Sequence, residues 1–241
     1  MKRVIAAAMV AVLGAFGSVN VMADLLGGAT VAETGFERGE DVVFEDNFAD
    51  LAAGDAPSHW MLLPESAEIA VIDGVKALKM NPNLSWMEPL IKGGNRSYLG
   101  MDFTMEFDIL YPNTKESEGT FEWSFMEPKT AKDNNSLCVT WYAYPDKEET
   151  VYNVAWTDNT NSLVKAAERR NTSASGPFLV DGKWHHIALS YLGCTLKLYV
   201  DNQLVVSQKM PIAPGWTMLW ANGDAAKYIT NVVITHPRKG L

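Results

Sequence analysis

Two acidic side chains on one predicted strand are the strongest candidates for chemistry in this sequence. Glu106 and Asp108 occupy alternate positions of the stretch FTMEFDIL, so both carboxylates share one face of the strand, with Cα atoms about 6.5–7 Å apart. Paired carboxylates can transfer protons, hold a cation or accept hydrogen bonds from hydroxyl groups. Glu122 lies on the next predicted strand, and an orientation toward the same face would complete a second carboxylate pair.

Adjacent histidines, His185 and His186, are the second candidate, because the chain contains only four histidines. Neighbouring side chains of a strand point to opposite faces, which groups His185 with Ile187 and His186 with Ala188. Two ligands on opposite faces cannot bind one metal ion, and the sequence offers no His-x-His motif or Cys/His cluster instead. We therefore predict no metal site and no catalytic role for this pair, with one imidazole half-buried and hydrogen-bonded.

The elements that must position these side chains are strands, because apolar residues recur at every second position. Strand-like runs cover 42–45, 103–109, 120–126, 137–144, 151–157, 184–191, 195–200, 204–208 and 228–235. Turn dipeptides such as Asp73-Gly74 and Asp181-Gly182 separate them. Helix-favouring composition is confined to Ser162–Arg170, and no alternation of strands with helices appears. This spacing of short strands predicts one antiparallel all-β domain, a sandwich or a barrel.

The first 23 residues have the layout of a cleaved secretory signal. Lys2 and Arg3 precede an apolar run from Val4 to Phe16, and small residues lead to Ala23. The apolar run is shorter than the roughly 20 residues that a membrane-spanning helix needs. We therefore expect a signal peptide at 1–23, a flexible leader at 24–40, a domain at 41–241, and a periplasmic or extracellular location.

The net charge limits the classes of partner. The segment 1–23 contains two of the 20 Lys and Arg residues and none of the 29 acidic residues, so its removal changes the net charge from −9 to −11. This acidity argues against nucleic acid and anionic membrane surfaces as partners, and no later segment is long and apolar enough for membrane insertion. Export permits a disulfide between Cys138 and Cys194, but a domain rich in apolar residues does not require one, so the pairing stays open.

Several stretches resemble one superfamily of β-sandwiches. DGKWHHIALSYLGCTLKLYVDNQLV (181–205) resembles the strand-hairpin-strand signature of laminin-G-like domains in the concanavalin A-like lectin and glucanase superfamily. VVFEDNFADLAAGDAPSHW (42–60) and YLGMDFTMEFDILY (98–111) are similar to two further strands of that group. The resemblance covers most of 42–236 and implies a two-sheet antiparallel jelly-roll sandwich. The sequence is also similar to the N-terminal module of outer-membrane-protein-A type envelope proteins of Bacteroidetes, without their peptidoglycan-binding domain.

The superfamily includes lectins and glycosidases alike, and a departure from the glycosidase pattern favours binding over catalysis here. Retaining glycosidases of this fold follow Glu-x-Asp with a second Glu, and here Leu110 and Tyr111 occupy those positions. We predict no catalytic residue and no required cofactor, with a polysaccharide hydrolase or lyase as the alternative. Lectins of this fold often use Ca²⁺, so calcium stays possible, although no calcium-loop spacing is present.

A glycan is the ligand that the predicted faces favour. The strand 137–144 carries apolar residues on one face and Thr140, Tyr142 and Tyr144 on the other. Aromatic rings pack against the C–H faces of sugars, while carboxylates and amides bond to hydroxyl groups. We expect one glycan-binding surface formed by Glu106, Asp108, Glu122, Thr140, Tyr142 and Tyr144. A structural or adhesive module that binds a protein partner is the remaining alternative, and a covering strand or loop would bury the rings.

Overall fold

The computed structural model describes residues 35–63, 65–82, 85–91, 97–128, 136–158, 168–210 and 212–237. The predicted signal peptide at 1–23 and the first part of the predicted leader, 24–34, lie outside the described residues. Residues 35–40, which we call the strap, have no regular secondary structure and precede the first strand.

Fifteen strands make up the described chain, with two short 3₁₀ turns at Lys115–Ser117 and Pro145–Lys147. The strands are β1 Asp41–Asp46, β2 Trp60–Leu62, β3 Ala67–Ile72, β4 Val75–Met80, β5 Ser85–Pro89, β6 Phe103–Leu110, β7 Gly119–Met126, β8 Ser136–Tyr144, β9 Glu149–Asp158, β10 Glu168–Gly176, β11 Trp184–Leu192, β12 Thr195–Val200, β13 Gln203–Lys209, β14 Trp216–Gly223 and β15 Lys227–His236. Within the described ranges, no helix has the length and apolar character needed to cross a membrane.

The strands form two antiparallel sheets. Sheet A has the order β13-β12-β11-β6-β15-β4-β3, and β1 also pairs with β15. Sheet B has the order β10-β9-β8-β7-β14-β5-β2. Consecutive strands often belong to different sheets, as β6 and β7 do, which is the crossing pattern of a jelly roll. The predicted all-β, two-sheet antiparallel jelly-roll sandwich is confirmed.

The hydrophobic core lies between the two sheets and fixes which face of each strand points inward. The Phe107 ring of β6 lies 5.8 Å, 5.5 Å and 6.1 Å from the rings of Phe121, Trp123 and Trp141, which belong to sheet B. Large buried aromatic rings of this kind dominate core energetics. Because side chains alternate along a strand, the residues between these core positions face outward on their respective sheets.

Residues 162–170 have a helix-favouring composition, but the part of this segment that the structure describes is a strand. Residues 168–170 begin β10, an edge strand with the sequence ERRNTSASG; residues 162–167 lie outside the described part. The sequence prediction does not include β10, because an edge strand with polar residues on both faces carries no alternating apolar pattern.

The histidine pair lies on opposite faces of β11, as predicted. His185 is 9 % exposed; its Nε2 lies 2.9 Å from Asp181 Oδ1 and its Nδ1 lies 2.7 Å from Asp201 Oδ2. Burial opposes ionisation of Asp181, but hydrogen bonds from Lys183 and His185 outweigh it and lower the pKa of Asp181 to about 2. His185 thus joins the turn before β11 to the turn after β12.

Both cysteines are free thiols. Cys138 belongs to β8 of sheet B, whereas Cys194 lies in the turn between β11 and β12 of sheet A. The disulfide that the sequence left open is therefore not formed in this structure.

Candidate functional site

The six predicted ligand-binding residues are divided between two surfaces. Glu106 and Asp108 lie on the outer face of sheet A, because Met105 and Phe107 beside them face the core. Glu122, Thr140, Tyr142 and Tyr144 lie on the outer face of sheet B. The predicted single surface is wrong, because β6 and β7 belong to different sheets and their outer faces point in opposite directions.

This division also removes the carboxylate pair that the sequence suggested for a hydrolase. A retaining glycosidase needs two carboxyl groups about 5–5.5 Å apart. Glu106 and Glu122 lie on opposite outer surfaces of the sandwich, with the aromatic core between them. They cannot act on the same glycosidic bond.

On sheet A, polar side chains line a depression of about 540 Å³, which we call the acidic depression. Its lining includes Arg38, Glu45, Asp46, Asp50, His59, Glu106, Asp108, His186 and Asn231. Five carboxylates against one arginine and two histidines make this surface negative.

A chain of alternating charges crosses the depression. His186 Nδ1 lies 2.8 Å from Asp108 Oδ1, and its Nε2 lies 3.3 Å from Glu106 Oε2. Arg38 forms an ion pair with the other oxygen of Glu106, and Asn231 donates a 2.7 Å hydrogen bond to Asp108 Oδ2. We call these five residues the clasp. All four carboxylate oxygens contact a partner, so the arrangement is typical of a structural ion-pair network.

The clasp holds Glu106, Asp108 and His186 in their charged forms. Hydrogen bonds to Asp108 and Glu106 raise the pKa of His186 from its ordinary 6.5 to about 9. Burial disfavours ionised Glu106, but His186 and Arg38 outweigh this and the pKa of Glu106 is lowered. The pKa of Asp108 is lowered in the same way, against burial, by His186 and Asn231. Near neutral pH the imidazolium therefore lies between two carboxylates.

The clasp attaches the strap to sheet A. Besides the Arg38 ion pair, the Gly39 amide donates a 3.1 Å hydrogen bond to Thr104 Oγ1, and the Phe36 ring lies 6.0 Å from the Tyr199 ring. A Cβ at Gly39 would collide with the backbone carbonyl of His236 on β15. Only glycine allows the strap to approach the sheet this closely.

Asp46, Asp50 and His59 have the spacing of a metal site, since one ligand atom from each lies within 4.8 Å of the others. Asp46 is already engaged, because it accepts hydrogen bonds from the Phe48 amide at 2.8 Å and the Trp60 indole at 2.9 Å. Ca²⁺ prefers six to eight oxygen ligands, whereas an imidazole with carboxylates suits Zn²⁺ or a related transition metal better. The donor set therefore fits calcium poorly.

The outer face of sheet B, which we call the platform, carries a continuous row of residues. Six side chains, each from the next strand along the sheet, are paired in register: Trp86, Trp220, Glu122, Thr140, Asn153 and Ser173. Five strand spacings of about 4.8 Å give this row a length of about 24 Å. Pairing in the sheet therefore gathers aromatic, carboxylate, hydroxyl and amide groups from distant parts of the chain.

The middle and one end of the platform are polar. Glu122 accepts hydrogen bonds from Ser124 Oγ at 2.5 Å and from Thr140 Oγ1 at 3.0 Å, so its carboxylate is held in one orientation. A shallow depression of about 450 Å³ lies beside it, lined by Tyr142, Tyr144, Val151, Asn153, Ala155, Asn171 and Ser173. Both tyrosines are half-exposed. Of the predicted residues, Tyr142 and Tyr144 thus line the depression, and Glu122 and Thr140 lie next to it.

The other end of the platform is aromatic and is missing from the sequence prediction. Trp86 on β5 pairs directly with Trp220 on β14, and both rings are half-exposed. In WTMLWANG, Met218 and Trp220 alternate with buried Leu219, and this local pattern indicates that the Trp220 side chain faces outward. Nothing local indicates that Trp86 lies beside Trp220.

Comparison with known proteins supports the fold. No family model matches the chain, and no curated protein matches it. A glycoside hydrolase family 16 endo-glucanase from Bacteroides ovatus has a TM-score of 0.58 at 15% identity, covering 80% of this chain and 100% of that one. LamAcat from Zobellia galactanivorans has a TM-score of 0.56 at 15% identity, covering 81% and 98%. The potassium-bound carbohydrate recognition domain of Emp46p has a TM-score of 0.51 at 17% identity, covering 76% and 90%. At these identities the likeness concerns architecture, and the chain has the concanavalin A-like jelly-roll fold.

Proposed function

We propose that this protein is an exported, non-catalytic domain that binds a glycan on the platform of sheet B. The observation that carries the proposal is the row of six side chains paired across sheet B. This row aligns aromatic rings, one fixed carboxylate, a hydroxyl and an amide on a single outer face. Solved structures of the same fold include a carbohydrate recognition domain and an endo-glucanase.

The chemistry of the platform matches the surface of a sugar. The half-exposed rings of Tyr142 and Tyr144 offer apolar faces to sugar C–H groups, and their hydroxyls can donate or accept. Glu122 is already oriented by two hydroxyl donors, so a sugar hydroxyl that binds its free lone pairs meets an ordered acceptor. Asn153 and Asn171 add amide groups that both donate and accept.

No second carboxylate lies on a described strand next to Glu122, because Glu88 on β5 and Glu149 on β9, which face the same side, are each two strands away. Glu122 is the only acidic residue on β7 and on the two strands that flank it, β8 and β14, as these strands are described. A double displacement needs a nucleophile and an acid/base on either side of one bond. This supports binding over the hydrolase alternative.

A glycan array and polysaccharide affinity electrophoresis test the proposal, with Tyr142→Ala as the key variant. Tyr228→Ala is the matched control, because Tyr228 is also half-exposed but lies on β15 of sheet A. We expect Tyr142→Ala to lose at least tenfold in retention with an almost unchanged melting temperature, and Tyr228→Ala to bind like wild type. Equal losses in both variants, or a loss that tracks the melting temperature, would contradict a site on the platform.

Two further arms separate the alternatives. EDTA should leave retention unchanged, because Asp46, Asp50 and His59 belong to the acidic depression and not to the platform; loss of binding in EDTA that Ca²⁺ restores would make calcium part of the site. Release of reducing ends or unsaturated products from the bound polysaccharides would establish the hydrolase or lyase alternative instead.

A further inference from the structure

The end of the platform formed by β2, β5 and β14 has an exposed apolar surface. Met61 and Leu63 are 37% and 46% exposed. Met61 pairs with Glu88, and the Leu63 amide donates to the Trp86 carbonyl, which places both side chains on the same face as Trp86. Together with residues on β5 and β14 they form what we call the apolar end: Met61, Leu63, Trp86, Met218 and Trp220. Glu88 lies between Met61 and Met218 on this face but is only 6 % exposed.

The two indoles of this end do not offer hydrogen bonds to a ligand. Trp86 Nε1 donates to Met218 Sδ at 2.8 Å, and Trp220 Nε1 lies 3.3 Å from the same sulfur. Both N–H groups are directed at a neighbour within the protein, so the two tryptophans present ring surface. The five side chains of the apolar end can therefore contribute dispersion and apolar burial, but no directed polar contact.

The opposite end of the row is polar and carries hydrogen-bonding side chains. Asn153 and Ser173 lie three and four strands from Trp220, or about 14–19 Å away, and Glu122 and Thr140 lie between them. A ligand that extends along the row meets apolar surface at one end and hydrogen-bonding groups over the rest. Sugar rings can pack on the two indoles, but Met61 and Leu63 extend the apolar surface one strand further, and exposed apolar patches of monomeric proteins are commonly binding sites.

We propose that the apolar end binds a hydrocarbon or aryl group attached to the glycan, so that the ligand of the platform is an amphiphilic saccharide with an acyl, alkyl or aryl substituent. This inference rests on the proposed glycan-binding function. Each methylene group that the apolar end removes from water should raise the affinity about threefold to fourfold.

A series of alkyl β-D-glucopyranosides with methyl, butyl and hexyl chains, kept below their critical micelle concentrations, tests the proposal by isothermal titration calorimetry. Hexanol serves as a probe of the chain without the sugar. The variants are Trp220→Ala, Trp220→Phe, which keeps an apolar ring without the indole N–H, and Tyr142→Ala. Circular dichroism and melting temperature confirm that each variant is folded.

We expect the affinity to rise at least tenfold from methyl to hexyl glucoside. Trp220→Ala should abolish this dependence, Trp220→Phe should retain it, and Tyr142→Ala should weaken all three glucosides by the same factor. If hexanol binds as tightly as hexyl glucoside, the sugar is irrelevant and the glycan-binding function itself fails. If glucosides bind through Tyr142 without chain-length dependence, the function stands and the apolar-group proposal is overturned. It is also overturned if sedimentation shows a dimer that Trp220→Ala dissociates, because the apolar end would then be covered by a second copy.

Discussion

Replacement of His186 by glutamine should destabilise the protein in a way that depends on pH with a calculable sign. The side chain lies between Glu106 and Asp108, and its pKa is raised from 6.5 to about 9. A group whose pKa is higher in the folded state contributes stability that is complete below its unfolded pKa of 6.5 and is lost as the pH rises through 9. The difference between these values corresponds to about 3.4 kcal/mol. The side chain is 37% exposed, and solvent screening reduces the expected contribution to roughly 1–2 kcal/mol.

The two carboxylates determine how the stabilising contribution of His186 changes at low pH. The pKa values of Glu106 and Asp108 are lowered from 4.5 and 3.8, so their stabilisation is present above those values and is lost as the pH falls below them. The contribution of His186 should therefore reach a plateau between pH 4.5 and 6.5 and decline on both sides.

Urea unfolding followed by tryptophan fluorescence measures this contribution as the difference between wild type and His186→Gln in identical buffers at pH 5.5 and pH 10. Glu45, Asp46, Asp50 and His59 line the same depression, but they are present in both proteins and largely cancel. We expect a difference of roughly 1–2 kcal/mol at pH 5.5 and near zero at pH 10. A double-mutant cycle with Asp108→Asn should assign most of it to the pair. A difference that is equal at both pH values, or larger at pH 10, refutes the reasoning.

Three further outcomes test the strap, the buried lysine and the core. Gly39→Ala should detach the strap, because its Cβ meets the His236 carbonyl, and should accelerate tryptic cleavage after Arg38; Gly35→Ala, with nothing within 4 Å of its Cβ, is the control and should cleave at the wild-type rate. Lys227 is 2 % exposed and burial lowers its pKa to about 8, but its ammonium also donates to the Asn222 carbonyl at 2.8 Å, so Lys227→Met removes a hydrogen bond together with the charge. The stability of Lys227→Met relative to wild type should therefore be higher at pH 7, where the cost of the buried charge is present, than at pH 10, by roughly 1–3 kcal/mol; a difference in melting temperature that is constant from pH 7 to pH 10 contradicts this. Phe107→Ala should cost about 3–5 kcal/mol in urea unfolding, because the ring contacts three aromatic rings of sheet B, whereas Val42→Ala, at a side chain 56% exposed, should stay within about 0.5 kcal/mol of wild type.

The histidine pair illustrates what local periodicity can decide. The alternation in WHHIALSY assigns His185 and His186 to opposite faces of a strand without knowledge of the fold, and the structure confirms that assignment. The partners of each imidazole come from elsewhere. Asp108 lies 78 residues from His186 in sequence and Asp201 lies 16 residues from His185, so neither contact could be derived from the strand itself.

The candidate binding surface shows where the sequence becomes insufficient. Alternation correctly separates Glu106 from Phe107 and Tyr142 from Trp141, but it does not say which strands are neighbours. Because β6 and β7 are consecutive in the chain, the sequence suggests one surface for Glu106 and Glu122. Their assignment to different sheets places these carboxylates on opposite sides of the molecule.

The sequence by itself determines the inward and outward residues of most strands, and through them the all-β sandwich, since the pleat of a strand is a local property with a period of two residues. Only the tertiary structure decides which outward residues meet. It brings Trp86 to Met218 across 132 residues of chain and connects Arg38 of the strap to Glu106. Strand pairing in a jelly roll is long-range, because the chain crosses repeatedly between two sheets, and the composition of a surface depends on these crossings and not on neighbours in sequence.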